Sequence, residues 1–255
     1  MATYKKRGGK PSTKTEKETS IEDGSTTAEV FNTLDESVSR TEEWVIKNQK
    51  YIFIIVGLAA LMVLGFLGFD KFVQEPKESL ATNDMFQSQQ YFDQAVNGAS
   101  KDSLFTLALK GTDGKYGFLD IAEVYSGTRA GNLSNYYAGM AYLNMNDYTN
   151  AVTYLNAFSS DDDVLGPIAK GGIGDAFVQL EQLEDAYDYY VQAAQLKTNN
   201  YTTPMYLYKA GVIGLKIGNN AKALEFFNQI KSEFPESTEA KDIDVFIGKA
   251  EAAIK

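Results

Sequence analysis

Residues 138–155, AGMAYLNMNDYTNAVTYL, hold the pattern that decides the fold of this 255-residue chain. Gly139 is followed twelve residues later by Ala151, and the mostly polar stretch NMND separates two apolar segments between them. A polar break between two segments of helical periodicity indicates a helical hairpin. Two later pairs have the same spacing: Gly174 with Ala186, and Gly211 with Ala223. The sequence therefore predicts three hairpins of one kind.

The hairpins recur at nearly constant distance, because successive alanines are 35 and 37 residues apart. A large side chain follows each alanine by four positions: Leu155, Tyr190 and Phe227. Gly and Ala allow two antiparallel helices to approach closely, and we expect the large residues to fill the gap to the next hairpin. Such a hairpin buries only one face unless it stacks on its neighbours. The expected architecture is an all-α solenoid.

This pattern resembles the tetratricopeptide repeat, a 34-residue hairpin with Trp, Leu-Gly, Tyr, Ala, Phe and Pro positions. Three copies cover residues 132–235. The Trp position is occupied by Asn135, Lys170 or Leu207, and only the third copy has the proline, Pro235. The resemblance implies a surface that binds other proteins.

The flanking segments fit the same solenoid. We predict a degenerate first repeat with an insertion over residues 79–131, with helices at 80–96 and 116–125 separated by a turn-rich stretch at 98–115. Residues 236–255 carry apolar residues at helical spacing and are predicted to form a C-terminal capping helix.

Residues 51–69, YIFIIVGLAALMVLGFLGF, contain no charged side chain. A helix of this length would span roughly 28 Å, close to the hydrocarbon thickness of a bilayer. We predict one transmembrane helix over residues 51–69. A linker at residues 70–78 would follow, with Pro76 ending the membrane helix. The predicted fold class is therefore a single N-terminal transmembrane helix followed by an all-α tetratricopeptide solenoid.

Residues 1–25 are polar and basic, and they are predicted to be a disordered cytoplasmic tail. Residues 26–50 carry apolar residues at helical spacing and are predicted to form an amphipathic juxtamembrane helix, on lipid or on a protein partner. Arg40, Lys47 and Lys50 precede the span and add to the basic tail, which favours a cytoplasmic N-terminus.

The order of these segments, with GFLDIAEVY (117–125), AGNLSNYYAGMAYL (130–143) and YTTPMYLYKAG (201–211), resembles the YfgM-like family of bacterial inner-membrane proteins over residues 26–250. The resemblance implies an ancillary subunit of the Sec translocon with a periplasmic C-terminal domain. The implied partners are the translocon channel subunits, a membrane-anchored periplasmic chaperone and secretory polypeptides. A structural scaffold of another envelope complex, binding one fixed partner, remains the alternative.

The first helix of each hairpin lines the groove of a tetratricopeptide solenoid. Registering the copies on their glycines gives these predicted polypeptide-binding residues: Leu133, Tyr136, Met140, Leu143, Asn144, Ile168, Asp175, Val178, Gln179, Met205, Tyr208, Val212, Leu215 and Lys216. Tyr and Met are adaptable contacts for varied apolar peptides. Many of these side chains could instead pack against the capping helix or a neighbouring hairpin.

Composition excludes several chemistries. The chain has no cysteine and no histidine, so thiolate chemistry, Ser-His or Cys-His catalysis and ordinary zinc or copper sites lack their residues. The formal net charge of −10 arises entirely after residue 69, which disfavours DNA as a partner. We predict binding rather than catalysis, with no cofactor and no metal.

Three smaller features have structural interpretations. Asp161, Asp162 and Asp163 are expected to cap a helix that begins near Val164. Close helix packing is expected to explain a cluster of three glycines: Gly171, Gly172 and Gly174. A small-residue face of the membrane helix could contact another helix, and its members are Gly57, Ala60, Gly65 and Gly68.

Overall fold

The computed structural model describes residues 26–98, 101–112 and 114–254, with side chains from residue 42 onward. The predicted basic tail, residues 1–25, lies outside the described residues. The chain divides into two units, Met1–Phe69 and Asp70–Lys255. The described residues form helices and no β-strand, as the sequence predicts, apart from one isolated β-bridge between Thr112 and Lys115.

The described part of the first unit is the helix α1, Thr26–Phe69. The predicted juxtamembrane helix and the predicted membrane helix are therefore one continuous helix of 44 residues. Large apolar side chains of its second half are exposed, for example Phe66 at 69%. One helical segment of the described residues, Glu42–Asn97, is long and apolar enough to cross a membrane.

The linker predicted for residues 70–78 is helical instead. A π-helical turn, Asp70–Gln74, leads directly into α2, Glu75–Asn97. Pro76 lies in the first turn of α2. Proline is tolerated there because its missing N–H needs no intrahelical acceptor and its fixed φ suits a helix, so it does not separate two elements.

Helix α3, Lys101–Lys110, corrects the expectation of turns across residues 98–115. Its buried residues Phe105, Ala108 and Leu109 have the i, i+3, i+4 spacing of one helix face. The short helix α4, Phe118–Val124, follows. Phe92 of α2 contacts Phe105 and Phe118 edge to face, with ring centroids 5.5 and 6.2 Å apart. These helices share one core, which stands where the degenerate first repeat is predicted.

Three helical hairpins follow the first core. Their helices are α5 (Arg129–Asn144), α6 (Tyr148–Ala157), α7 (Leu165–Gln179), α8 (Leu183–Leu196), α9 (Thr202–Lys216) and α10 (Asn220–Glu233). A 3₁₀ turn, Glu239–Asp242, and a last helix α11, Ile243–Ile254, complete the unit where the sequence predicts a capping helix.

The glycine of each hairpin contacts the large residue sixteen positions later. A β-carbon on Gly139 would lie 2.5 Å from Leu155 Cγ, and one on Gly174 would lie 2.7 Å from Tyr190 Cδ1. In the third hairpin, a β-carbon on Gly211 would overlap the ring of Phe227. The sequence-based expectation that these large residues fill the gap to the next hairpin is therefore incomplete, since each one fills the glycine notch of its own hairpin.

The other predicted packing glycines are confirmed, and of the three aspartates predicted to cap the helix, Asp162 makes the capping hydrogen bonds. A β-carbon on Gly171 would overlap the ring of Tyr206, and one on Gly172 would lie 3.1 Å from Leu155 Cδ1. Asp162 Oδ1 accepts hydrogen bonds from the backbone N–H groups of Val164 and Leu165, both at 2.8 Å. These bonds lower the pKa of Asp162, because they stabilise its charged form.

The first turn of α2 is bonded to the start of α5. The Glu78 carboxylate accepts hydrogen bonds from the backbone N–H groups of Arg129 at 2.7 Å and Ala130 at 3.1 Å. Lys77 Nζ donates to the carbonyl oxygen of Ser126 at 2.8 Å. A carboxylate at a helix N-terminus satisfies N–H groups that have no intrahelical partner. These bonds fix α2 on the first hairpin.

Tyr125 supplies a further bond to α2 and a pH-dependent prediction. Its hydroxyl donates to Asp84 Oδ2 at 2.5 Å, which raises the pKa of Tyr125 from the usual 10.0 to about 12. Because the neutral phenol is favoured in the folded protein, this bond stabilises the fold below pH 10, and the contribution is lost as pH rises toward 12. Asp84→Asn is expected to move the Tyr125 pKa back toward its usual value.

Tyrosinate absorbance measured immediately after pH jumps tests this expectation, and Tyr125→Phe identifies the contribution of this one phenol. Identical Tyr125 titrations in the wild type and in Asp84→Asn would contradict it.

Candidate polypeptide-binding surface

The first helices of the hairpins make contact in succession, α5 with α7, α7 with α9, and α9 with α11. All of the predicted groove residues belong to α5, α7 or α9. The structure therefore places them along one series of neighbouring helices.

A groove opens on α9, with further lining residues from α7, α8 and α11. Its volume is about 380 Å³, and its lining residues are Val178, Tyr190, Tyr208, Lys209, Val212, Ile213 and Phe246. Of the predicted groove residues, Val178, Tyr208 and Val212 are brought together here. The volume lies within the range of about 300–1,000 Å³ typical of ligand pockets, so the groove can hold bulky side chains of a bound peptide.

Phe246 of α11 is a lining residue that the sequence did not identify. Its ring packs edge to face on Tyr208, with centroids 4.9 Å apart and an interplanar angle of 78°. Lys249 Nζ lies 4.8 Å from the centroid of the same ring. The helical spacing of Phe246 indicates only that this residue faces the solenoid. No sequence pattern near Phe246 predicts its contact with Tyr208, which lies on another helix.

Asp175 forms a polar cluster beside the apolar groove. Its Oδ1 accepts hydrogen bonds from Tyr190 Oη and from Lys209 Nζ, both at 2.6 Å. Burial and the nearby Asp175 charge raise the pKa of Tyr190, which therefore remains a neutral donor. The half-buried ammonium of Lys209 also lies 5.4 Å from the Tyr190 ring centroid and 5.7 Å from that of Tyr206.

The cluster leaves hydrogen-bonding capacity for a bound chain. Both described hydrogen bonds to Asp175 use Oδ1, and the Asp175 side chain is 39% exposed. A carboxylate has about four acceptor positions, so Oδ2 can accept a backbone N–H from an extended peptide. Apolar contacts and a polar anchor are thus adjacent on one surface.

The predicted residues of the first copy have a different environment. Leu133, Tyr136 and Met140 are half-buried and pack against a core cluster that includes Phe158 and Ile173. The Tyr136 ring centroid lies 5.2 Å from that of Phe158. These side chains take part in packing between hairpins, the alternative that the sequence left open.

The remaining predicted residues do not line the groove. Asn144 Nδ2 donates to the carbonyl oxygen of Met140 at 2.8 Å. Met205 packs against the core of the third hairpin, and Gln179 and Lys216 are exposed at the ends of their helices.

The small-residue face of α1 has open space beside it. A β-carbon on Gly57, Gly65 or Gly68 would meet no atom within 4 Å, and Ala60 is exposed. These residues are accessible to another helix in a membrane, and such a contact stays a prediction.

Comparison with known proteins agrees with the repeat pattern. The tetratricopeptide repeat family matches the chain at residues 134–162 and 206–237. These segments contain most of the α5–α6 hairpin and most of the α9–α10 hairpin. No curated protein and no solved structure matches the chain significantly. Tetratricopeptide repeats indicate an adaptor that interacts with other proteins.

Proposed function

We propose that this protein is a membrane-anchored adaptor that binds polypeptides in the groove between α7, α9 and α11. The observation that carries the proposal is the meeting of Val178, Val212 and Phe246 from three separate helices around an open apolar cavity. The adjacent Asp175 supplies a polar anchor for the peptide backbone. Such a surface suits chains of varied sequence, because apolar contacts are non-directional.

The anchor is α1, with the repeat domain on the extracytoplasmic side. Residues 51–69 are uncharged and nearly all of their large side chains are exposed, which suits a lipid environment. The basic residues before the span favour a cytoplasmic N-terminus and hence a periplasmic repeat domain in a bacterial inner membrane.

We further propose that the adaptor is an ancillary subunit of the Sec translocon and hands over emerging secretory polypeptides. The support for this step is the resemblance of residues 26–250 to the YfgM-like family. The proposed partners are the channel subunits, a membrane-anchored periplasmic chaperone and the secretory chains themselves.

Val212→Asp tests the groove. A carboxylate placed in this apolar cavity would lose hydration when a client's apolar side chain enters, so client binding is expected to weaken at least about tenfold. The measurement is photocrosslinking from Tyr208 to several secretory chains in inverted membrane vesicles. Val124→Asp is the matched control, because Val124 on α4 is 48% exposed and does not line the groove.

The outcomes separate the parts of the proposal. Unchanged crosslinking in Val212→Asp would exclude the groove as the binding surface. Loss of one crosslinked partner, with all others retained, would favour a scaffold with one fixed partner. If the translocon channel never co-purifies with the wild-type protein in mild detergent, the proposed translocon association is contradicted. That result would not bear on the proposal that the groove binds polypeptides.

A further inference from the structure

The last helix, α11, continues the register of the three hairpins. Gly248 follows Gly211 by 37 residues, the same distance that separates Gly211 from Gly174. Gly174 in turn follows Gly139 by 35 residues. By this spacing, Gly248 corresponds to the glycine of a fourth first helix.

Burial supports the same register. The residues five before and two after each glycine are at most 4% exposed in all four helices. The positions five before are Ser134, Ala169, Tyr206 and Ile243, and those two after are Ala141, Ala176, Ile213 and Ala250. Helix α11 therefore packs on the third hairpin as α9 packs on the second.

The helix face around Gly248 is open, whereas the corresponding faces around the glycines of the three hairpins are covered. Gly139, Gly174 and Gly211 are buried because a large residue of the second helix fills each notch. A β-carbon on Gly248 would meet no atom within 4 Å, and the residue is exposed. No described helix of this chain occupies the second-helix position beside α11.

The open face has an apolar edge and an acidic edge. Val245, which is 56% exposed, and Ala252 lie on one side of Gly248 at helical spacing. Asp244 and Glu251 lie on the other side. Lys231 pairs with Asp244 at 2.7 Å, while Glu251 has no ion pair with a described residue.

We propose that this face binds a cationic amphipathic helix of another protein, which takes the second-helix position and places a large apolar side chain over Gly248. The face continues an interface that the chain builds three times with its own helices. The acidic excess after residue 69 attracts a basic partner over longer range. A second copy of this chain fits less well, because antiparallel pairing of two α11 helices would bring their acidic edges together.

The probe is a stapled synthetic peptide of residues 220–233 with Glu225→Lys and Glu233→Lys. This sequence fills the equivalent notch over Gly211 with Phe227, and the two changes make it cationic. Binding is measured by fluorescence anisotropy with the full chain in nanodiscs. Gly248→Ala is expected to weaken binding about tenfold or more, because a methyl group fills the notch. Gly65→Ala in α1 is the matched control and should bind as the wild type does.

Two further measurements test whether a cationic helix or a second copy of this chain binds at Gly248. Phe227→Ala in the peptide should weaken binding about as much as Gly248→Ala in the protein. Equal binding to wild type and Gly248→Ala, or no binding to the wild type, overturns the proposal. A concentration-dependent dimer that Gly248→Ala abolishes also overturns it, in favour of a second copy. The groove proposal is unaffected by any of these results, since Gly248 does not line the groove.

Discussion

Gly139→Ala is expected to lower the free energy of unfolding by about 1–3 kcal/mol, although alanine is the better helix former. The added methyl group would lie 2.5 Å from Leu155 Cγ and 2.9 Å from the backbone nitrogen of Leu155. A side chain can rotate away from such a contact, but a backbone atom moves only if α6 shifts. Leu155 is 1% exposed, so the surrounding core leaves little room for that shift.

The same substitution at Gly248 is expected to have the opposite sign. Gly248 lies in the middle of α11 with open space around it, so Gly248→Ala should raise the free energy of unfolding by about 0.5–1 kcal/mol. The expected effects of Gly139→Ala and Gly248→Ala have opposite signs because another helix packs against Gly139 and no described helix packs against Gly248. Urea unfolding of the full chain in detergent, followed by circular dichroism, provides the measurement. Equal changes at the two positions would contradict the assignment of Gly139 as a packing residue.

The repeats were predictable because their signal is local and recurs three times. Glycine, alanine and the large residue lie within sixteen positions of one another in each copy, and the glycine contacts the large residue within one hairpin. The sequence does not predict helix α3 because its apolar stretch, LFTLAL, is short and lies between turn-forming glycines. The linker prediction is wrong because proline marks the first turn of a helix as well as the end of one, and Pro76 lies in the first turn of α2.

The candidate site could be predicted only in part, because it is assembled between repeats. Val178 and Phe246 are 68 residues apart in sequence, and no spacing rule within one hairpin relates them. Registering on the glycine predicts which helix faces share a surface, and Val178, Tyr208 and Val212 are the predicted residues that line this one groove. The glycine register does not distinguish an open position from one covered by the next hairpin, and Tyr136 and Met140 are covered in this way.

Phe227→Ala is expected to lower the free energy of unfolding by about 3–5 kcal/mol, the usual range for truncating a buried phenylalanine. Phe227 is fully buried, and its ring fills the notch over Gly211. Its centroid also lies 5.5 Å from that of Phe246 and 6.4 Å from that of Tyr208, so it supports two lining residues of the groove from below.

The matched control is Phe86→Ala, because Phe86 on α2 is 61% exposed and its removal should change stability by no more than about 0.5 kcal/mol. Urea unfolding of both variants measures the difference. A loss below about 1 kcal/mol in Phe227→Ala would show that Tyr208 and Phe246 collapse into the vacated space. That collapse would change the shape of the groove, because Tyr208 and Phe246 both line it, so client crosslinking from Val178 should then fall even though the fold is retained. The side chain that closes the third hairpin therefore also supports the groove, because its ring contacts both Tyr208 and Phe246.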